Sequence, residues 1–473
     1  MDKIMDVLNT YIGSVNDFMY SKFLIVLLVA SGLYFTIRTK AAQIRLFPNS
    51  IHCVRQKGEE GKISSFQALM VATASRVGTG NISGVATAIV LGGPGAIFWM
   101  WIMAIVGSAS AFIESTLAQV YKEKDGDGYK GGPAYYIQRA LGQRWLGVLF
   151  AIILIVTFAF GFNGLQSYTL ASSFEVYIDG FADSAAPIII GIVVAALAGF
   201  MFFRGSKTIS KISSVIVPIM ACLYILVGLI VLFMNLDKLP EAAGKVVDSA
   251  FDWQAIFGGF AGSCMVQGIK RGLFSNEAGM GSAPNAAATA HVKHPAQQGL
   301  VQVLSVFIDT ILICSTTAFI TILAGPTGAL DENGELLNGI PFVQAALDSQ
   351  FGQIGIVFIT VSIVLFAFTS LIGNFYYVEL NIKYISENKT FMLVMRILAI
   401  LMIFVGANIN LTLAWNLADV TMGFMATINI IALFLLGNKA VKVIKDYEKQ
   451  RKEGKDPVFK AEDVGITNTD FWK

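Results

Sequence analysis

Arg76-Val-Gly-Thr-Gly-Asn-Ile-Ser-Gly84 decides how this chain folds. It lies between SSFQALMVATAS and VATAIVLGG, two apolar runs that read as halves of one membrane helix. Arginine, glycines, hydroxyls and an amide at that depth break the helix, and each backbone group left unpaired in hydrocarbon costs several kcal/mol unless a cavity or ligand satisfies it. The break therefore implies a ligand. The half-helix after it offers free N–H groups and partial positive charge to a carboxylate. The carbonyls of Ala74 and Val77, just before or at the break, suit a small hard cation. Gly78, Gly80 and Gly84 allow close backbone approach, and Thr79, Asn81 and Ser83 add polar side chains. Helix packing through small residues accounts for Gly80 and Gly84, but not for Arg76 or Asn81.

The rest of the sequence has the composition of an integral membrane protein. Of 473 residues, 55% are hydrophobic and 14% charged, and the mean hydropathy is +0.65. The net charge of +2 says little, because in a membrane protein the placement of charge matters more than its sum. Strands alternating at period two are not evident, which argues against an outer-membrane barrel. Cys53, Cys222, Cys264 and Cys314 are scattered, as small core residues and not a disulfide or zinc framework. The first apolar run, Phe23 to Ile37, lacks a small-residue cleavage site before RTKAAQIR and reads as a retained anchor.

The apolar segments predict an all-α protein of eleven transmembrane helices, at about 19–38, 64–91, 95–121, 145–173, 186–203, 210–234, 251–291, 297–324, 352–383, 391–407 and 410–437. Loops rich in Lys and Arg orient them: Arg38, Lys40, Arg45, Arg55, Lys57 and Lys62, then Lys122, Lys124, Lys130, Arg139 and Arg144, then Arg204, Lys207 and Lys211. The opposite loops carry Glu175, Asp179 and Asp183, or, as in GALDENGELLNGIPFVQAALDS, no basic residue. The N-terminus is expected outside, and the basic tail 439–473 in the cytoplasm.

The segments 64–91 and 251–291 are the most interrupted by glycine, hydroxyls, amides and charge. If helix 19–38 is an extra one, they open two groups of five, 64–234 and 251–437, within one transporter domain, 1–438. Five is odd, so the halves would be inverted, and such a pair of broken segments points to a transporter binding site. Locally they share Arg, then Asn, then Gly: Arg76, Asn81 and Gly84; Arg271, Asn276 and Gly279.

Thr369 and Ser370, in LFAFTSLIGNFYYVEL, give an apolar segment two hydroxyls of the kind that bind sodium with backbone carbonyls; the alternative is bonding to their own helix. Arg76, Glu114, Lys270, Arg271, Glu277, Asp309, Glu379 and Asp419 lie within spans and are expected to face inward and pair, Arg76 with an internal carboxylate. His291 and His294 lack further ligands for a metal site. There is no Ser/His/Asp set, HExxH motif or paired membrane aspartates for an intramembrane enzyme, and no repeated ring for a channel.

GTGNISGVATAIVLGGPGAIFWMW, GGPAYYI, RGLFSNEAGMGSAPNAAATA and FAFTSLIGNFYY resemble the alanine or glycine:cation symporter family, with the match running from the first helix to the last. The resemblance implies a LeuT-like fold of five plus five inverted helices in the cytoplasmic membrane, with sodium and a small neutral amino acid as co-substrates and no organic cofactor. It puts the substrate carboxylate at Gly78, Thr79 and Gly80, with Asn81, Gln166, Ser275, Asn276 and Gly279 lining the cavity. Sodium would lie among Ala74, Val77, Phe366, Thr369 and Ser370. In many alanine and glycine carriers of the family the place four residues after Ser370 is tryptophan; here it is Asn374. The amide implies a larger, more polar pocket, similar to a glutamine-associated branch, so alanine, glycine and glutamine all stand as substrates. A lipid bilayer, no nucleic acid and a monomeric state complete the expectation. Proton coupling through Glu114, Glu277 or Asp309 is the competing reading.

Overall fold

The computed structural model describes residues 2–56, 59, 61–252, 263–325, 328–330, 334 and 336–472. Residues 253–262, which open the expected segment 251–291, lie outside the described residues. Helices dominate, because in lipid each backbone polar group needs a partner within its own segment. The only named sheet among the described residues is a hairpin, β1 (Glu123–Asp125) against β2 (Gly128–Lys130).

Seven helices among the described residues are long and apolar enough to span a membrane, and eight with one bent pair. That pair is α1 (Asp2–Lys22) and α2 (Leu24–Arg38), bent by 41° around Phe23. The expected extra helix, 19–38, is thus part of a longer kinked element. α1 continues beyond the apolar run because it packs along the final helix. The expected spans outside the count are 64–91 and 251–291, which are broken, and 186–203, whose helix Ala186–Phe202 has 17 residues. Among the described residues, length and apolarity thus account for eight of the eleven expected spans.

The first break follows from local chemistry. After two short helices, α3 (Ala42–Arg45) and α4 (Phe47–Arg55), α5 (Ser65–Arg76) starts in a capping box in which Ser64 Oγ accepts from Gln67 N while Gln67 Oε1 accepts from Ser64 N. It stops at Val77, whose ψ of 88° is not helical. A π-helical turn, Gly80–Gly84, then leads into α6 (Val85–Gly92). In the second broken segment, α7 (Cys264–Asn276) ends at Glu277, which has φ +53°; Gly279 and Gly281 follow at φ +81° and +90°. α8 (Ala283–Thr289) then carries the chain onward. A left-handed glutamate is unusual and marks a tightly determined turn.

Four further elements enclose the breaks. α7 and α8 both pack against the long helix Ala96–Val120. α9 (Pro295–Val306) runs into another π-helical stretch, Phe307–Cys314, and α10 (Gln353–Ile385) packs against α5. The last helix, α11 (Leu411–Lys452), continues well past the expected end at 437, so residues 439–452 of the basic tail extend the final span as helix. The sequence stopped it where the apolar run stops, but helix propensity does not. Beyond it the tail is folded onto the protein.

Candidate functional site

The first break and α10 meet through one hydroxyl. Ser370 Oγ donates toward Ala74 O at 3.0 Å and lies 3.3 Å from Val77 O. These carbonyls belong to the end of α5, where four C=O groups lose their helical partners. Thr369 behaves differently: its hydroxyl donates within its own helix, to Leu365 O at 2.9 Å and Phe366 O at 3.0 Å. The adjacent hydroxyls thus split, Ser370 joining Ala74 and Val77 and Thr369 joining Phe366. All five residues are buried, and all their donors are hard oxygens suited to sodium.

The N–H side of the break is equally defined. Gly78 N donates to Asn81 Oδ1 at 2.9 Å, and Thr79 N to Gln166 Oε1 at 3.1 Å. Two amide oxygens thus hold the N–H groups that a carboxylate would need. Space is tight: a Cβ on Gly78 would stand 2.3 Å from Ser370 Oγ and 2.8 Å from Gln166 Nε2, and one on Gly80 2.6 Å from the Phe274 ring. These glycines are therefore required by close approach.

Asn81 ties the first break to the second broken segment. Its Nδ2 lies 2.9 Å from Ser275 Oγ and 2.6 Å from Asp309 Oδ1, and Ser275 Oγ donates to Asp309 Oδ2 at 2.7 Å. Thr317 Oγ1 donates to Asn81 O at 2.6 Å. Asn276 stands beside this cluster, donating to Thr310 Oγ1 at 3.2 Å. Gly279 is elsewhere: its N–H donates to Glu114 Oε1 at 3.2 Å and its carbonyl accepts from Asn429, in the turn between α7 and α8. Of the expected substrate residues, it is the one not brought to the first break.

Asn374 lies one turn of α10 beyond Ser370. Its Oδ1 accepts from Ser75 Oγ at 2.7 Å and its Nδ2 donates to Asn163 Oδ1 at 3.0 Å. Ser75 Oγ also stands 3.1 Å from Glu277 Oε1, which links Asn374 to the second break.

The buried charges pair only in part. Asp419 receives Arg271 at 2.5 Å and Lys270 at 3.3 Å, and Glu379 receives Lys383 at 2.8 Å and Arg396 at 3.8 Å. Arg76 corrects the expectation of a carboxylate partner. It is fully buried, donates from Nη1 to Gln302 Oε1 at 3.2 Å, and leaves Nε and Nη2 without a hydrogen bond. Glu114, Glu277 and Asp309 instead accept from neutral donors: Asn429 at 2.7 Å, Ser282 at 2.5 Å and Asn81 at 2.6 Å respectively. One face of the arginine is thus held by an amide, with its charge spread among carboxylates that other groups hold in place.

Ser75, Asn163 and Thr317 were missed as site residues, while Asp309 was named as an inward-facing, proton-coupling candidate and not as a neighbour of Asn81 and Ser275. Asp309 alone carried a signal, a carboxylate in an apolar run. The others are small polar residues whose role appears only when helices distant in sequence meet.

The sequence profile of the sodium:alanine symporter family matches residues 5–461. The chain belongs to the sodium:alanine symporter family. Among relatives in this transporter family, the amino-acid carrier protein AlsT of Bacillus subtilis is 48% identical over 467 residues, covering 98% of both chains. The probable sodium/glutamine symporter GlnT of Bacillus subtilis is 45% identical over 459 residues, covering 96% of this chain and 94% of that one. Among solved structures, the crystal structure of MhsT in complex with L-phenylalanine superposes with a TM-score of 0.56 at 14% identity, covering 80% of this chain and 90% of that one. That likeness is one of fold. The family is one of membrane transporters, not enzymes.

Proposed function

We propose that the chain is a sodium-coupled symporter of a small neutral amino acid that works by alternating access. The observation that carries this is Ser370 Oγ lying on both Ala74 O and Val77 O, at 3.0 and 3.3 Å. A sodium ion among these oxygens and those of Phe366 and Thr369 would fasten α10 to the broken α5. The N–H groups of Gly78 and Thr79, released by Asn81 and Gln166, would then receive the substrate carboxylate. Cation binding orders the place where the amino acid binds, which makes the two binding events mutually dependent.

Under this reading eleven spans form two inverted groups of five after the kinked first element, with the N-terminus outside and the C-terminus in the cytoplasm. The domain is 1–438, the tail 439–473, the membrane the cytoplasmic one and the working unit a monomer. Gln166, Ser275 and Asn276 line the substrate cavity, while Gly279 sits in the hinge of the second broken segment. The names of AlsT and GlnT support an amino acid as substrate, and Asn374 supports glutamine beside alanine and glycine. Unlabelled amino acids competing against labelled alanine or glutamine in proteoliposomes, with and without sodium, test this. Competition by none of the three contradicts the substrate class.

A second reading has a specific observation in its favour. Asp309 is a fully buried carboxylate, 2.6 Å from Asn81 Nδ2 beside the first break, where a proton could accompany or replace sodium. Uptake that persists without sodium under a proton gradient would establish it.

A further inference from the structure

The tail beyond α11 makes a set of contacts that the transport cycle above does not use. Gln450 holds both polar groups of the Val458 backbone, accepting from its N–H at 3.0 Å and donating to its carbonyl at 2.9 Å. Phe459 N donates to Lys293 O at 3.0 Å. The chain then turns through Glu462–Val464, and Trp472 Nε1 donates to Gln119 O at 2.7 Å. Phe459, Ala461, Ile466 and Trp472 are all buried, although 11 of the 20 residues that precede Phe459 are charged. Apolar side chains buried in sequence this polar mark a docked segment, not a solvated tail.

What the tail grips is the inner end of the second broken segment. Gln119 Nε2 donates to Ala287 O at 2.6 Å and Ala290 O at 2.9 Å. Lys122, fully buried, donates to Ala290 O at 3.1 Å, its ammonium lying 4.0, 4.5 and 5.0 Å from the ring centres of Tyr129, Phe471 and Trp472. His294 packs between Tyr447 and Phe459. From there His291 N donates to Ile63 O at 2.9 Å, which joins this end to the approach to α5. Both broken segments thus converge on one mouth, and the tail closes its rim. A cavity of about 740 Å³ opens beside it, bounded by Ser65, His291, Lys293, Arg451 and Asp456.

We propose that residues 457–472 are a latch on this mouth: docked, they hold α8 and the 290–294 loop closed, and their release is a step in opening the inner gate. The proposal rests on the alternating-access reading. The latch biases the protein toward the outward-facing, sodium-accepting form. Without it, fewer molecules stand ready for external sodium, and the apparent affinity falls by that fraction.

Three forms are compared: the full chain, Trp472→Ala, and a chain ending at Asp456. Hydrogen–deuterium exchange in detergent reports the latch without any transport. In both altered forms residues 283–294 are expected to exchange at least about tenfold faster, while Lys389–Gly406 stays unchanged. In proteoliposomes, external sodium for half-maximal uptake is expected to rise at least about threefold. Adding the peptide 457–473 to the truncated form should reverse both changes. Trp472→Phe, which keeps the ring and loses the bond to Gln119, should fall between, and it serves if Trp472→Ala folds poorly. Unchanged exchange at 283–294 overturns the latch. Faster exchange with unchanged sodium dependence overturns its role in gating. If the full chain shows no sodium-dependent uptake while exchange still rises, the symporter reading fails and the docking of the tail onto α8 stands.

Discussion

Replacing Gly78 by alanine puts one methyl group where the cation and substrate sites meet. The added Cβ would lie 2.3 Å from Ser370 Oγ, so that hydroxyl must turn away. Turning it away forfeits the one O–H that it shares between Ala74 O and Val77 O, worth roughly 0.5–1.5 kcal/mol. It also removes a sodium ligand, at a cost of the same order, so the sodium needed for half-maximal uptake should rise about 2- to 13-fold. Ser370→Ala alone deletes the obstructing oxygen and should raise the requirement by a similar factor. In that background Gly78→Ala meets only Gln166, at 2.8 Å, and should add less than about threefold, a coupling between neighbours of the usual size. Sodium titrations of alanine or glutamine uptake in proteoliposomes measure all four forms. Effects that multiply, or a Gly78→Ala protein with normal sodium dependence, refute the claim that Ser370 sits on the break.

Asn374→Trp fills the space between Ser75 and Asn163 and should shift preference toward glycine and alanine; glutamine competing as well as before contradicts the account of the pocket. Asp419→Asn leaves Lys270 and Arg271 buried without their anion and should destabilise the protein by about 3–5 kcal/mol, seen as a lower melting temperature in detergent. A third concerns pH. Burial holds His294 below the ordinary histidine value, against the pull of Asp446, and its Nδ1 accepts from Ala296 N at 3.2 Å, which a neutral ring permits. The docked form therefore binds fewer protons than the undocked one, so docking is complete above about pH 6.5 and weakens as pH falls through it. Exchange at 283–294, corrected for intrinsic rates, should accelerate near pH 5.5, and equal protection at both pH values would contradict this.

The breaks were legible because glycine, hydroxyl and amide runs have no purpose in a lipid-facing helix. The same logic found Ser370, although its neighbour Thr369 turned inward to its own helix, a choice set by which face of α10 meets α5. Three things were not legible. π-Helical turns such as Phe307–Cys314 arise from packing and leave no composition signal. The partner of Arg76 is a glutamine from α9, 226 residues away in sequence, and charge matching alone points to carboxylates instead. The tail was read only as a basic cytoplasmic segment, because its basic residues outnumber Phe459, Phe471 and Trp472, whose burial depends on the Lys122 and His294 surfaces they meet.

The central claim is that sodium, held at the junction of α5 and α10, drives amino acid movement. The most direct test is accumulation of labelled alanine or glutamine in proteoliposomes under an inward sodium gradient, with proton gradients collapsed by an ionophore, in the native protein and in Ser370→Ala. The account predicts concentrative uptake that vanishes when sodium is replaced by potassium, and that Ser370→Ala restores only at much higher sodium. Uptake independent of sodium and lost with the proton gradient, or Ser370→Ala with native sodium dependence, would contradict it.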